Sequence, residues 1–152
     1  MSYTNIEGRI QSISQTLSAY FANSAQVTRG DYSVLDAGYD YALVLSPGAY
    51  ADTGYWANNT IAREWTVHAD LFQRVAGDDA GALSTFIALR EAWLDKIHAY
   101  PRLNNLSGVQ SVNAVRGDEL TWLFDDSNNG PFFIKQTFTL TVTELVTVTA
   151  LG

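Results

Sequence analysis

The chain has 152 residues, of which 47% are apolar and 16% charged, and its 16 acidic against 9 basic residues give a formal net charge of -7. This composition is typical of one globular domain, here spanning residues 1–152, and argues against intrinsic disorder. The absence of cysteine excludes disulfides and thiolate metal sites. The acidic balance argues against a basic nucleic-acid-binding surface, although DNA could still slide past such a protein without sticking.

Neither a membrane span nor an export signal is predicted. No apolar run approaches the roughly 20 residues that cross a bilayer. The N-terminus, MSYTNIEGRI, lacks the cationic start and the apolar stretch of a secretory signal.

A first amphipathic helix is predicted over about residues 5–22. Its apolar residues recur at spacings of three and four and form one stripe: Ile6, Ile10, Ile13, Leu17, Tyr20 and Phe21. Thr4 and Glu7 have the spacing of a capping box, which predicts the start of the helix.

A short strand over 39–46 is predicted next, ending at Pro47-Gly48, and is followed by an aromatic loop over 46–60. A second strand over Arg63–Val75 alternates between two faces. Its apolar face carries Trp65, Val67, Ala69, Leu71 and Val75. Its other face carries Glu64, Thr66, His68, Asp70, Phe72 and Arg74, and we interpret it mainly as a solvated face.

A second helix is predicted to start after Gly77-Asp78-Asp79, where an aspartate can cap it, and to stop before Pro101. Leu83, Phe86, Ile87, Leu94 and Ile97 share one side of this helix, and Leu89 and Trp93 widen it.

The final third of the chain is predicted to be β. Residues 109–116 and 120–124 form a strand region, 125–130 a turn, and 132–148 a long alternating strand whose register shifts near Glu144 and Leu145. The element order predicts an α+β fold, with an antiparallel sheet, two helices packed on one face and a long C-terminal β-hairpin.

Catalytic and metal-binding chemistry has weak support. His68 and Asp70 share a strand face and could form an acid–base pair or provide two ligands of a metal site, but no third ligand has a recognisable spacing. Residues 125–130 partly match a calcium loop, yet Gln136 stands where a bidentate glutamate is expected. P-loop, GxGxxG and GxSxG motifs are absent. We therefore predict no catalytic residues, no metal and no cofactor, and a protein that is not an enzyme.

Two regions are candidate subunit or partner interfaces. Tyr50, Tyr55 and Trp56 could close over the core as a lid or anchor a partner, and the residues favour neither alternative. Thr139, Thr141 and Thr143 on the last strand could form a wet face, or that strand could add its edge to a neighbouring subunit's sheet.

Five stretches, in this order, resemble the tail terminator proteins of long-tailed bacteriophages, within the tail-completion and head–tail joining proteins. They are IEGRIQSISQTLSAYF, YALVLSPG, REWTVHADLFQRV, LSTFIALREAWLDKIHAYPRL and GDELTWLFDDSNNGPFFIKQTFTLTVTEL, and together they span about residues 5–146.

The resemblance implies a structural virion protein at the head–tail junction, assembled in the host cytoplasm. Such a subunit forms a ring, expected to be a hexamer, that caps the tail tube and joins it to the head connector, with DNA as passing cargo. An acidic wall would repel phosphate, and Asp118, Glu119, Asp125 and Asp126 are the candidate acidic lumen or rim residues.

Two alternatives remain open from the sequence. One is another neck, head-completion or tail tube protein, which the pattern barely separates from a terminator. The other is a small ligand-binding or enzymatic domain of the nuclear-transport-factor-like type, which requires a deep apolar pocket with His68 and Asp70 in its wall.

Overall fold

The computed structural model describes residues 2–56, 59–124 and 131–147. These residues form two α-helices and six strands, with short 3₁₀ segments at Ser24–Gln26 and Tyr32–Ala37. The helices are α1 (Ser2–Gln15) and α2 (Asp79–His98). The strands are β1 (Val27–Arg29), β2 (Tyr41–Trp56), β3 (Thr60–Arg74), β4 (Val109–Gly117), β5 (Thr121–Phe124) and β6 (Pro131–Thr147). Neither of these helices is long and apolar enough to cross a membrane.

The strands form one sheet in the order β1-β2-β3-β6-β4, and β5 also pairs with β6. All pairs are antiparallel except β1 with β2, which is parallel. The predicted α+β fold, with its two helices and its long C-terminal hairpin of β5 and β6, is confirmed. The sheet is mixed rather than purely antiparallel, because β1 pairs with β2 in parallel. This was not predicted, because β1 has three residues and is too short to give a sequence signal.

Both helices cover one face of the sheet, which we call the helix face. The main apolar core lies between the helices and this face. The core includes Val67, Ala69 and Leu71 of β3 and Phe138, Leu140 and Val142 of β6, as the alternation predicts. On α2 the fully buried positions are Phe86, Leu89, Trp93 and Ile97. Leu89 and Trp93 are therefore central to the core, whereas Ile87, predicted on the buried side, is 36% exposed.

Helix α1 ends at Gln15, seven residues before the predicted end. The hydrogen-bond pattern changes there from the α-helical to the 3₁₀ type, because the amides of Thr16 and Leu17 donate to the carbonyls of Ile13 and Ser14, three residues back. Phe21 still packs in the core, so the apolar stripe continues in a turn where the sequence pattern predicts more helix.

The predicted capping box at Thr4 and Glu7 is wrong, because both residues lie inside α1. Glu7 is 4% exposed, and its carboxylate accepts hydrogen bonds from the Tyr3 hydroxyl and from Arg29 Nε, the latter at 2.7 Å. It joins the helix to the end of β1 instead of capping the helix.

The predicted 46–60 loop is also wrong, because β2 continues through Pro47 to Trp56 and pairs with β3 as far as Thr60. Partner strand β1 ends opposite Leu45, so β2 is an edge strand from Ser46 onwards. Proline is tolerated on an edge strand because its missing N–H faces solvent. A bulge between Pro47 and Tyr50 then restores the pairing.

Strand β6 is central, since β3 pairs with one side of it and β4 and β5 with the other. On the side away from β3 it is paired with β5 over Pro131–Lys135 and with β4 over Phe138–Glu144, so at Thr139, Thr141 and Thr143 it has no free edge to add to a neighbouring sheet, which corrects that alternative. Strand β3 pairs with β6 without interruption from Phe133 to Thr147, whereas the register between β4 and β6 shifts opposite Thr143 and Glu144, close to the predicted position. Glu144 stays on the helix face, where it is 6% exposed and accepts a hydrogen bond from Trp65 Nε1 at 2.9 Å.

The opposite face of the sheet, which we call the far face, has a small core of its own. The 3₁₀ segment Tyr32–Ala37 packs Val34 against Ala42, Val44, Phe72 and Phe133. The Arg74 guanidinium donates to the carbonyl of Leu35. The prediction of a solvated face on β3 is therefore wrong at the Asp70–Arg74 end, where this segment covers the strand.

Replacing Asp78 by alanine should destabilise α2. The Asp78 carboxylate accepts from the Gly81 amide at 3.0 Å and caps the helix as predicted. We expect Asp78→Ala to lower the free energy of unfolding by about 1 kcal/mol, measured by urea denaturation. Asp78→Asn, which keeps a capping oxygen, should unfold close to the wild type, and an equal loss in both variants would contradict the capping role.

Candidate functional site

His68 and Asp70 lie on the far face, two residues apart on β3, as the alternation predicts. Asp70 is 7% exposed and is fully engaged within the fold. The Tyr32 hydroxyl donates to one of its oxygens, and the Thr137 hydroxyl donates to the other at 2.6 Å. Since both oxygens already accept hydrogen bonds, the carboxylate holds the 3₁₀ segment to the sheet.

His68 is half-buried beside Thr139, with 3.4 Å between its Nδ1 and the Thr139 hydroxyl oxygen. On its other side lies the β2 bulge, where a Cβ on Gly48 would come within 2.8 Å of His68 Nε2. Glycine at this position therefore lets β2 pass close to the imidazole. Four surface cavities in the described parts of the chain have neither His68 nor Asp70 in their walls. No group of three or more metal-ligating side chains occurs within residues 2–56, 59–124 and 131–147.

Because of the Tyr32–Asp70 hydrogen bond, we expect the protein to lose stability at alkaline pH. Burial and the neighbouring Asp70 raise the pKa of Tyr32 from 10.0 to about 12. A raised pKa in the folded state means that the contribution to stability is complete below pH 10 and is lost as the pH rises through 12. The melting temperature should therefore fall more steeply between pH 9 and 12 in the wild type than in Tyr32→Phe. Parallel curves of melting temperature against pH would contradict this contact.

Tyr50, a predicted interface residue, is 63% exposed yet firmly placed. Its ring lies 5.3 Å from that of Trp65, its cross-strand partner on β3. The Arg63 guanidinium stacks 5.6 Å from its centroid and is itself fixed by Asp52, with 2.6 Å between Nε and Oδ1. Exposed aromatic side chains that are already ordered lose little entropy when a partner covers them. The side chains of the other two predicted anchors, Tyr55 and Trp56, lie outside the part that the structure describes.

The sequence patterns did not reveal this arrangement of Asp52, Arg63 and Trp65 around Tyr50. Asp52 lies in the segment that was predicted as a loop, so its pairing with Arg63 across two strands could not be inferred. The only available signal was the alternation of apolar and polar residues on β3, which places Arg63 and Trp65 on the same face.

Thr139, Thr141 and Thr143 all point to the far face and are half-buried. The Thr143 hydroxyl accepts from the side-chain Nδ2 of Asn113 on β4. Because β6 is central in the sheet, these threonines can meet a partner only through their face.

Two of the four predicted acidic residues, Asp118 and Glu119, are exposed in the connection between β4 and β5. The backbone of Asp118 is fixed, because its amide donates to the Thr137 carbonyl at 2.8 Å and its carbonyl accepts from Gln136 Nε2 at 2.7 Å. Asp125 and Asp126, together with the predicted turn over 125–130, lie outside the described residues.

The edges of the sheet are poorly suited to pairing with another sheet. Bulges interrupt β2 between Asp52 and Gly54 and β4 between Val112 and Ala114. At β1, Val27 already donates to the Ser24 carbonyl and accepts from Gln11 Nε2. Such features block edge-to-edge association, so contacts between copies should use faces and side chains.

Comparisons with known proteins give no assignment: no protein-family model matches the chain, and no curated protein sequence matches it.

Proposed function

We propose that this protein is a ring-forming structural subunit that acts as a tail terminator at the head–tail junction of a long-tailed bacteriophage. In this role copies of the chain close into a hexamer that caps the tail tube and meets the head connector, while DNA passes through the centre. The proposal includes no catalytic step and no cofactor.

The observation that carries the proposal is the projection of the sheet beyond its core. Past Trp65 and Val142, none of the described residues of β2, β3 and β6 belongs to the main apolar core, although Ile61 and Ala62 of β3 are still buried. The three strands continue together to Trp56, Thr60 and Thr147. Five residues of strand extend about 16 Å, which gives each subunit an arm for heterologous contacts in a closed ring.

The base of this arm carries a side chain suited to such a contact. Tyr50 is exposed and ordered by Trp65 and Arg63, and aromatic anchors of this kind contribute strongly to interfaces. The use of Asp70 as a structural acceptor for Tyr32 and Thr137 also supports a building block more than an enzyme.

The net charge of -7 suits a channel through which DNA must slide. Phosphates are repelled by an acidic wall, so passage requires no contacts to be broken. Asp118 and Glu119, which are exposed side by side, are proposed to face the lumen or its rim.

Sedimentation velocity of the wild type and of Tyr50→Ala tests the proposed contact. Tyr50 is mostly exposed, so its truncation should lower the unfolding free energy by no more than about 1 kcal/mol and should shift the protein from ring to monomer. Ile87→Ala, a change at another exposed apolar side chain, is the matched control. A ring population unaffected by Tyr50→Ala would contradict the role of this side chain.

A deletion experiment separates a terminator from other neck or tail proteins. Particles assembled without the protein should contain tail tubes of uncontrolled length, because the cap that ends polymerisation is missing. Tails of normal length that fail to join heads would instead indicate a head-completion role.

A further inference from the structure

A cleft of about 230 Å³ lies between the start of β2, the end of β3 and the first turns of α2. Gln73 of β3 is in its wall, is 5% exposed, and has a side-chain oxygen without any hydrogen-bond donor. A buried acceptor is costly in a folded protein unless a donor reaches it, so the Gln73 oxygen is an acceptor that a ligand in the cleft could use. The cleft is several times larger than the volume of about 30 Å³ that one water occupies.

The charges around the cleft favour a cation. Asp40 and Asp78 line it from opposite elements, and both are exposed. Neither carboxylate has an ion-pair partner in the described part of the chain. Arg74 also contributes to the lining, but its guanidinium donates to the carbonyls of Tyr39 and Leu35 and stacks on Phe132 and Phe133. Its guanidinium is thus held within the fold, and with Asp40 and Asp78 it leaves the charged lining with a net charge of minus one.

A ligand that suits this lining carries positive charge and several N–H donors, because the lining offers an amide oxygen and two carboxylates as acceptors. A guanidinium group fits this description best, with five donors in a fixed plane. A metal ion is less suited, because no group of three or more His, Cys, Asp or Glu side chains that could hold one occurs among the described residues.

Arg116 is the arginine that remains available for this role. It is exposed on β4 and has no hydrogen-bond, ion-pair or ring partner among the residues that are described. Lys96, which also lacks such a partner, is half-buried in the last turn of α2, where the helix dipole stabilises it. Strand β4 lies at one side of the sheet and β2, at the mouth of the cleft, towards the other, as a head-to-tail contact requires.

We propose that the cleft lined by Asp40, Gln73 and Asp78 binds the guanidinium group of Arg116 from a neighbouring copy of the chain. This inference rests on the ring assembly proposed above. It assigns a specific polar contact to the interface between successive subunits, separate from the Tyr50 arm.

The recognition chemistry is tested by NMR, following the side-chain amide of Gln73 in the Arg116→Ala variant, in which no copy can fill the cleft. Methylguanidinium should shift this resonance saturably, whereas tetramethylammonium, which has no N–H donor, should not. The double variant Asp40→Asn, Asp78→Asn keeps the cap on α2 and should weaken methylguanidinium binding about tenfold or more. No shift, an equal shift with tetramethylammonium, or saturation by calcium chloride instead would overturn the proposal.

Native mass spectrometry tests the contact between copies. Arg116→Ala and the Asp40→Asn, Asp78→Asn variant should each lose hexamer, and Arg102→Ala, which changes another arginine near β4, should retain it. Rings that persist in both cleft variants overturn the assignment of Arg116 as occupant. If the wild type forms no ring at all, the proposed function fails, while the NMR titration still decides whether the cleft recognises a guanidinium.

Discussion

Replacing Trp93 by alanine should cause a loss of about 4 kcal/mol in the free energy of unfolding, the largest effect of any single change considered for this protein. Trp93 is fully buried at the centre of α2, 5.1 Å from the ring of Phe138 on β6. Its Nε1 donates to the Ser14 hydroxyl of α1 at 2.9 Å. One side chain therefore connects both helices to the sheet, and truncation leaves a cavity and an unfilled acceptor. Urea denaturation measures the loss, with the same dependence of the unfolding free energy on urea concentration used for both proteins.

Two further variants separate packing from hydrogen bonding at Trp93. Trp93→Phe keeps most of the aromatic volume, so we expect it to cost about half as much as Trp93→Ala. Ile87→Ala, at a partly exposed position of the same helix, should lower stability by only about 1 kcal/mol. If Trp93→Ala were no worse than Ile87→Ala, the helices could not be packed on the sheet as described.

Replacing Glu7 by glutamine should lower the free energy of unfolding by about 2 kcal/mol. The carboxylate is almost fully buried and accepts from Arg29 and Tyr3, so the variant leaves a charged guanidinium without its partner. The Arg29 side chain is 32% exposed and can regain some water, which keeps the loss below that of a fully buried pair. Burial and the hydrogen bond to Glu7 also raise the pKa of Tyr3, so this phenol stays neutral to high pH.

The matched control for Glu7 is the exposed pair of Arg63 and Asp52, which has a similar distance of 2.6 Å. Asp52→Asn should cost less than about 0.5 kcal/mol, because solvent screens the pair and both side chains are already hydrated. A similar loss at both pairs would show that burial does not set the strength of the Glu7–Arg29 contact.

Strong periodic patterns made the central elements predictable. The two faces of β3 and of β6 follow the alternation of residues such as Val67 with His68 and Leu140 with Thr139. The start of α2 follows from the capping aspartate Asp78. In each case one local rule and the tertiary packing favour the same structure.

The errors arose where tertiary pairing overrides a local signal. Pro47 and the glycines after it indicate a loop, but β3 pairs with this segment and turns it into an edge strand. Leu17, Tyr20 and Phe21 continue a helical period, yet the backbone leaves the helix while these side chains still reach the core. Strand β1 was missed because its three residues are defined by pairing with β2 alone.

The candidate interface was only partly predictable for the same reason. Tyr50 could be singled out by residue type, because exposed tyrosine is favoured at interfaces. The orphaned oxygen of Gln73 could not, since it depends on which elements meet around it. Likewise, the role of Asp70 became clear only when the 3₁₀ segment placed Tyr32 beside it.

Native mass spectrometry of the purified protein at neutral pH tests the central claim most directly. A subunit that works by closing into a ring with its own copies should give a dominant species at six times the chain mass of 16.7 kDa. A chain that remains a monomer across micromolar concentrations, both alone and when mixed with tail tubes, would contradict the account.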